Sequence, residues 1–174
     1  ERVKAGELPP VEERLPVDPP VIEPYGEIGV YGGTAETWGT ELDWWGEGWL
    51  FNHFGLWARA LPDGTGNVPE LVKGWEYAED NMSMIVYMRE GLRWSDGAPY
   101  TADDVMFFLE YVEGNTELTP TPYIGRDVAN IEKIDDYTLK ITFHQPTPHF
   151  HGAFSYTTNW WATRYPAHYM KQFH

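Results

Sequence analysis

The sequence has no cysteine, so it can form neither a disulfide framework nor a thiolate metal site. Basic residues are scarce, with 12 Lys+Arg against 27 Asp+Glu and a formal net charge of −15. Nucleic-acid phosphate needs a basic footprint and anionic lipid attracts basic segments, so this balance argues against both as partners. No apolar run approaches the roughly 20 residues that span a bilayer. The opening ERVKAGELPP lacks the apolar stretch of a secretion signal, so an exported protein with this sequence has shed its targeting segment. The serines are Ser83, Ser95 and Ser155, none in the Gly-x-Ser-x-Gly setting of a serine hydrolase. Despite the acidity there is no Asp-x-Asp-x-Asn-Gly calcium loop, and the charge reads as a solubility device. Glycines at 26, 29, 32 and 33 lack phosphate-loop spacing and no Lys-Ser/Thr follows them.

Aromatic residues, by contrast, are plentiful. They make up 16% of the 174 residues, with 9 Trp and 11 Tyr, and hydrophobic residues make up 42%. Such a chain is long and apolar enough for one or two small domains with a core. The stretch from Leu71 to Val112 is the most patterned. Ser83 to Arg89, with Ile85, Val86 and Tyr87 in a row, predicts a strand buried on both faces. Trp75 to Ala78 pairs with it across the turn Glu79-Asp80-Asn81. Ser95-Asp96-Gly97 and Pro99 then break the strand. Thr101 is an N-cap with Asp104 at the capping-box position. Val105, Phe108, Leu109 and Val112 follow at the spacing of one helix face.

Around this centre the sequence divides further. Residues 1–27 are rich in proline and acid and predict a short helical turn in an extended surface arm. Trp38 to Trp57 interleaves Trp38, Trp44, Trp45, Trp49, Phe51, Phe54 and Trp57 with glycines, which weakens a plain helix. Leu61 to Pro69 is a polar turn region around Asp63-Gly64. Gly114 to Asp127 is a long loop with Pro120, Pro122 and Gly125. Ile131 to Gln145 predicts a hairpin turning at Asp135-Asp136, with Leu139, Ile141 and Phe143 alternating against polar neighbours.

Several of these pieces, in this order, resemble a known family. A Leu-x-x-x-Trp-Glu opening at Leu71 leads to Arg89-Glu90-Gly91-Leu92 and then to Trp94-Ser95-Asp96-Gly97-x-Pro99-x-Thr101-Ala102-x-Asp104-Val105. This run is similar to the signature region of the family 5 extracytoplasmic solute-binding proteins, the dipeptide- and oligopeptide-type receptors of bacterial ABC importers. The opening ERVKAGELPPVEERLP with Glu27-Ile28-Gly29-x-Tyr31-Gly32-Gly33-Thr34 resembles the mature start of a subgroup. The Ile131–Phe143 hairpin, Gln145-Pro146-x-Pro148-x-Phe150 and Pro166-x-His168-Tyr169 resemble later elements.

The resemblance implies an α+β fold: the N-terminal part of the first lobe of a periplasmic-binding-protein class II architecture, with its β-rich inserted subdomain. It implies an arm over 1–27, the start of the main lobe and a cleft wall over 28–60, with a strand near Thr34 to Trp38. It also implies the inserted subdomain over 61–150 and a return segment over 151–174. Family members are two-lobed and several hundred residues long, so the chain reads as an N-terminal fragment. The implied function is capture of an oligosaccharide or oligopeptide outside the cytoplasm, or of nickel chelates in some branches, and delivery to a membrane permease without chemistry. The implied location is periplasmic or extracellular, with a lipid anchor in many members. No cofactor is implied.

The residues themselves leave alternatives beside that reading. Asp103-Asp104 and Asp135-Asp136 can be imagined as acid/base pairs, but a helix N-terminus and a hairpin turn give carboxylates ordinary structural work. His149 and His151, two apart on a strand, would face one side and offer two metal ligands, with no third in view. His168 reads as a residue that fixes the chain. Trp75 and Trp94 read as core. Trp44, Trp45, Trp49, Trp160 and Trp161 are the ligand-binding candidates, because flat aromatic platforms with a few polar groups suit sugar faces and peptide side chains. Their abundance favours saccharide. A reading from another class is a glycan-acting enzyme or a carbohydrate-binding module, which tryptophan and acid content alone would suggest. An isolated fragment with an open tryptophan wall would also self-associate.

Overall fold

A computed structural model describes residues 3–7, 9–24, 26–30, 32–34, 55–119, 127–155 and 164–173. Its centre is a four-stranded antiparallel sheet in the order β3-β4-β6-β5, made of β3 (Val72–Tyr77), β4 (Ser83–Met88), β5 (Val128–Asp135) and β6 (Thr138–Phe143). Two short strands precede it, β1 (Ala58–Ala60) and β2 (Asn67–Pro69), paired antiparallel across a turn in which Asp63 Oδ1 accepts from the Thr65 N–H. The β1–β2 hairpin is an addition to the sequence reading, which gives this region only as a turn. Each strand is three residues long, too short to show a period.

The β3–β4 hairpin turns where predicted. Asn81, at φ 55°, donates its N–H to Ala78 O, and Ala78 donates to Ser83 O. β4 is not buried on both faces, however. Met84, Val86 and Met88 are buried while Ser83, Ile85 and Tyr87 are half-exposed. The continuous apolar run conceals an alternating strand because its outward residues are themselves large. On β6, Leu139, Ile141 and Phe143 are buried in the same alternation, in register with the inward side of β4. That face joins Val72, Val105, Phe108, Val112, Val128 and Ile131 in one apolar cluster. Trp75 and Trp94 pack against its rim, half-buried, instead of inside it.

The helix begins as the capping box predicts. Asp103 N–H donates to Thr101 Oγ1 at 3.3 Å and Thr101 N–H donates to Asp104 Oδ2 at 2.9 Å. Helix α1 runs over Ala102–Phe107 and continues as a π-helix over Phe108–Glu113. The wider turn ends where Gly114 donates to Leu109 O at 2.8 Å. Lys133 of β5 clamps the start of α1, with Nζ 2.8 Å from Asp103 Oδ1 and 2.7 Å from Asp136 Oδ1. Both aspartate doublets are thus engaged in holding elements together.

The arm carries one helical turn, Val11–Glu13. It then passes over the Arg89-Glu90-Gly91 corner, where Val17 N–H donates to Glu90 O. Gly91 has φ +81°, and a Cβ there would meet Val17 N at 3.2 Å. Arg89, only 7% exposed, reaches Glu70 O through Nε and the Asp18 carbonyl and carboxylate through Nη1. Residues 35–38 of the strand predicted near Thr34 to Trp38, and residues 120–126 of the loop predicted over Gly114 to Asp127, lie outside the described residues. A 3-10 turn, Phe150–Ser155, and helix α2, Ala167–Met170, complete the described chain with a last turn over Lys171–Phe173.

Candidate ligand-binding edge

An aromatic cluster forms where β1, β3 and the Phe150–Ser155 turn meet. Trp57 is fully buried, and its Nε1–H donates to Tyr100 Oη at 3.0 Å. Burial pushes the Tyr100 phenol well up, so it remains a neutral partner. Phe154, also fully buried, meets Trp57 edge-on at 5.1 Å, Trp75 at 6.0 Å and Phe150 at 5.8 Å. Edge-to-face pairs of this kind hold beyond what area burial alone supplies, by ~0.5–1.5 kcal/mol each.

The position of the cluster in the chain gives it functional interest. In sequence, residues 35–54 precede Trp57 and residues 156–163 follow Phe154, and both stretches lie outside the described residues, with Trp44, Trp45, Trp49, Trp160 and Trp161 among them. The described chain from Arg164 onward packs against the core. Tyr165 stacks on Phe108 at 5.5 Å, Ala167 N–H donates to buried Asp104 Oδ1 at 2.7 Å, and His168 Nε2 lies 2.6 Å from Asp96 Oδ2. A carboxylate can only accept, so Nε2 carries the proton. The His168 contact, helped by the Ala98 N–H, holds the Asp96 carboxyl below its usual range. His168 fixes the chain, as the sequence suggests, and its partner is an aspartate of the signature loop.

His149 and His151 do not sit on a strand. His151 lies in the Phe150–Ser155 turn, stacked on Trp75 at 5.1 Å, with its Nδ1 3.0 Å from Tyr77 Oη. The imidazole centroids of His149 and His151 are 6.3 Å apart at 70°. Among the described residues no group of three or more His, Asp or Glu side chains is placed to hold a metal. Two surface grooves are also present. One of about 450 Å³ lies along Gly74, Glu76, Tyr87 and Thr138, and one of about 360 Å³ lies between Leu109 and the β5 edge at Val128 and Ile131.

Residues 67–172 match the sequence model of the bacterial extracellular solute-binding proteins, family 5. The chain belongs to that family. This family 5 chain is 35% identical over 173 residues to the periplasmic alpha-galactoside-binding protein of Rhizobium meliloti, covering 86% of this chain and 25% of that protein. Among solved structures it is similar to an oligopeptide-binding protein OppA, with TM-score 0.82 and 38% identity over 99% of this chain and 27% of the other. It is also similar to the periplasmic binding protein MelB of Agrobacterium fabrum in complex with stachyose, with TM-score 0.73 and 30% identity over 98% of this chain and 29% of the other. The architecture is thus the mixed helix-and-sheet fold of class II periplasmic binding proteins, and the family is one of binding proteins. The chain spans about a quarter of the length of these relatives. Among the described residues no helix is long and apolar enough to cross a membrane.

Two features of the family 5 chain were not visible in the sequence. Asp104 shows only as a capping residue, yet its second oxygen accepts the N–H of Ala167, 63 residues on. The Trp57–Phe154 and Tyr77–His151 contacts join residues far apart in sequence, and no local period announces them.

Proposed function

We propose that the chain contributes to extracytoplasmic capture of an oligosaccharide, for delivery to the permease of an ABC importer, and that Trp44, Trp45, Trp49, Trp160 and Trp161 supply the aromatic platforms. The observation that carries this reading is the 35% identity to a periplasmic alpha-galactoside-binding protein over 86% of this chain. Saccharide is favoured because pyranose faces stack on flat indoles, and because relatives of this chain bind an alpha-galactoside and stachyose. Residues 28–60 act as the start of a main lobe and cleft wall, 61–150 as an inserted subdomain and 151–174 as the return to the main lobe, with 1–27 as a surface arm. The complete receptor is two-lobed, periplasmic or extracellular, and lipid-anchored. It performs no chemistry on its ligand. Three carboxylates are engaged structurally: Asp104 accepts two backbone N–H bonds, and Asp103 and Asp136 are held by Lys133.

Oligopeptide capture is the second reading, favoured by the 38% identity to an oligopeptide-binding protein. Calorimetry of a full-length receptor carrying this chain, against raffinose-type oligosaccharides and against di- to pentapeptides, separates the two. Heat with the saccharides and none with the peptides supports the proposal, and the reverse overturns it. Product formation from the saccharide would instead favour a glycan-acting enzyme, which needs two placed carboxylates.

A further inference from the structure

The Phe150–Ser155 turn is hydrogen-bonded to β3 through the Tyr77 hydroxyl. Tyr77 Oη lies 3.0 Å from the His151 backbone nitrogen and 3.0 Å from His151 Nδ1. The backbone N–H can only donate, so the phenol oxygen accepts from it. The Phe150 N–H also donates to this oxygen, and two N–H donors fill its acceptor positions, so the phenol hydrogen is given to Nδ1, which must be unprotonated to receive it. This sets the neutral imidazole tautomer with its proton on Nε2. The same ring lies on Trp75 at an interplanar angle of 14°. Three residues further on, Phe154 is buried against Trp57.

We propose that the Tyr77–His151 contact is a proton-operated latch: neutral His151 holds the Phe150–Ser155 turn on β3, and a proton taken up at Nδ1 frees it. Protonated Nδ1 is a donor. It would then be a third donor to an oxygen that already accepts from the Phe150 and His151 N–H groups, and the phenol hydrogen would have to leave the imidazole. Burial and the neighbouring His149 both disfavour the imidazolium and hold the His151 pKa below its usual 6.5. The Trp75 face attracts an imidazolium, but the net direction is downward. The charged groups on the elements packed around the turn are Arg59 on β1, Glu70 after β2, and Lys73 and Glu76 on β3. Arg59 acts on Glu70, and Glu76 is bonded to Tyr87. Burial also pushes the Tyr77 phenol up, so it keeps its hydrogen throughout the range in which His151 titrates.

The test is histidine ¹⁵N NMR on the 174-residue chain, with amide-exchange protection of residues 151–155 corrected for intrinsic rate, taken from neutral pH to about pH 4.5. The latch requires the Nε2–H tautomer at neutral pH, a titration of His151 below 6.5, and a fall in protection of about tenfold or more that follows it. His151→Gln, which keeps the backbone bond but cannot titrate, should remove the pH step and leave protection high. Tyr77→Phe should give low protection at both ends and move the His151 titration back toward 6.5. An Nδ1–H tautomer at neutral pH, a His151 titration that leaves protection unchanged, or a step that persists in His151→Gln would each overturn the proposal.

Discussion

Asp104 shows at the scale of one residue how the signature sequence works. Its carboxylate is 3% exposed and accepts Thr101 N–H on one oxygen and Ala167 N–H on the other. Thr101→Ala removes one cap bond and should lower stability by ~1 kcal/mol in urea melts. Asp104→Ala leaves the buried Ala167 N–H and the half-buried Thr101 N–H unpaired, and at ~1–3 kcal/mol for a buried donor it should cost clearly more. Equal losses in the two variants would mean that the Ala167 bond contributes nothing. Phe108, 5% exposed and stacked on Tyr165, is the apolar counterpart, and Phe108→Ala should cost ~3–5 kcal/mol. Asp96 gives a pH signature. Its carboxyl is held below the usual 3.8, chiefly by His168, so the contact stabilises the fold above that pH and is lost as pH falls through the lowered value. In His168→Ala the Asp96 carboxyl should titrate closer to 3.8 by NMR, and an unchanged titration would remove His168 as the cause.

Elements differed in how far the sequence revealed them. The Asp135-Asp136 hairpin and the start of α1 could be read directly, because alternation and capping are local properties and the residues that carry them are adjacent. The π turn could not. Val105, Phe108, Leu109 and Val112 keep helical spacing, and the extra residue per turn shows only in the bond from Gly114 to Leu109 O and in the burial of Glu113. Gly114 also marks a close approach, since a Cβ there would stand 2.9 Å from Glu110 O and 3.0 Å from Leu109 O. Gly114→Ala should therefore destabilise the chain, by ~1–3 kcal/mol if the backbone must shift. A neutral or stabilising result in the melt would mean the turn relaxes to ordinary α geometry. The placement of His149 and His151 was misread for a similar reason. Two-residue spacing implies one face only on a strand, and Gln145-Pro146-x-Pro148 had already ended the strand.

At the scale of the whole molecule, the signature region and the β5–β6 hairpin share one apolar cluster, against which Tyr165 packs. The family could be recognised in the sequence because its signature is contiguous. The proposed ligand-binding residues could be named only by type, and all five lie outside the described residues. A receptor that closes two lobes on its ligand removes water from both sides of it. The 174-residue chain alone should keep only part of those contacts, and a loss of about 4 kcal/mol weakens binding about a thousandfold. The proposed tryptophan platforms, without a second lobe to cover them, should also drive self-association, seen as a concentration-dependent mass in sedimentation. The most direct test is calorimetry of the full-length receptor with a galactose-containing oligosaccharide, in wild type and in Trp44→Ala, Trp45→Ala, Trp49→Ala, Trp160→Ala and Trp161→Ala. Our reading predicts saccharide binding that weakens by about tenfold or more, ~1.4 kcal/mol, in variants from both segments. Unchanged affinity in all five, with the fold intact, would contradict it.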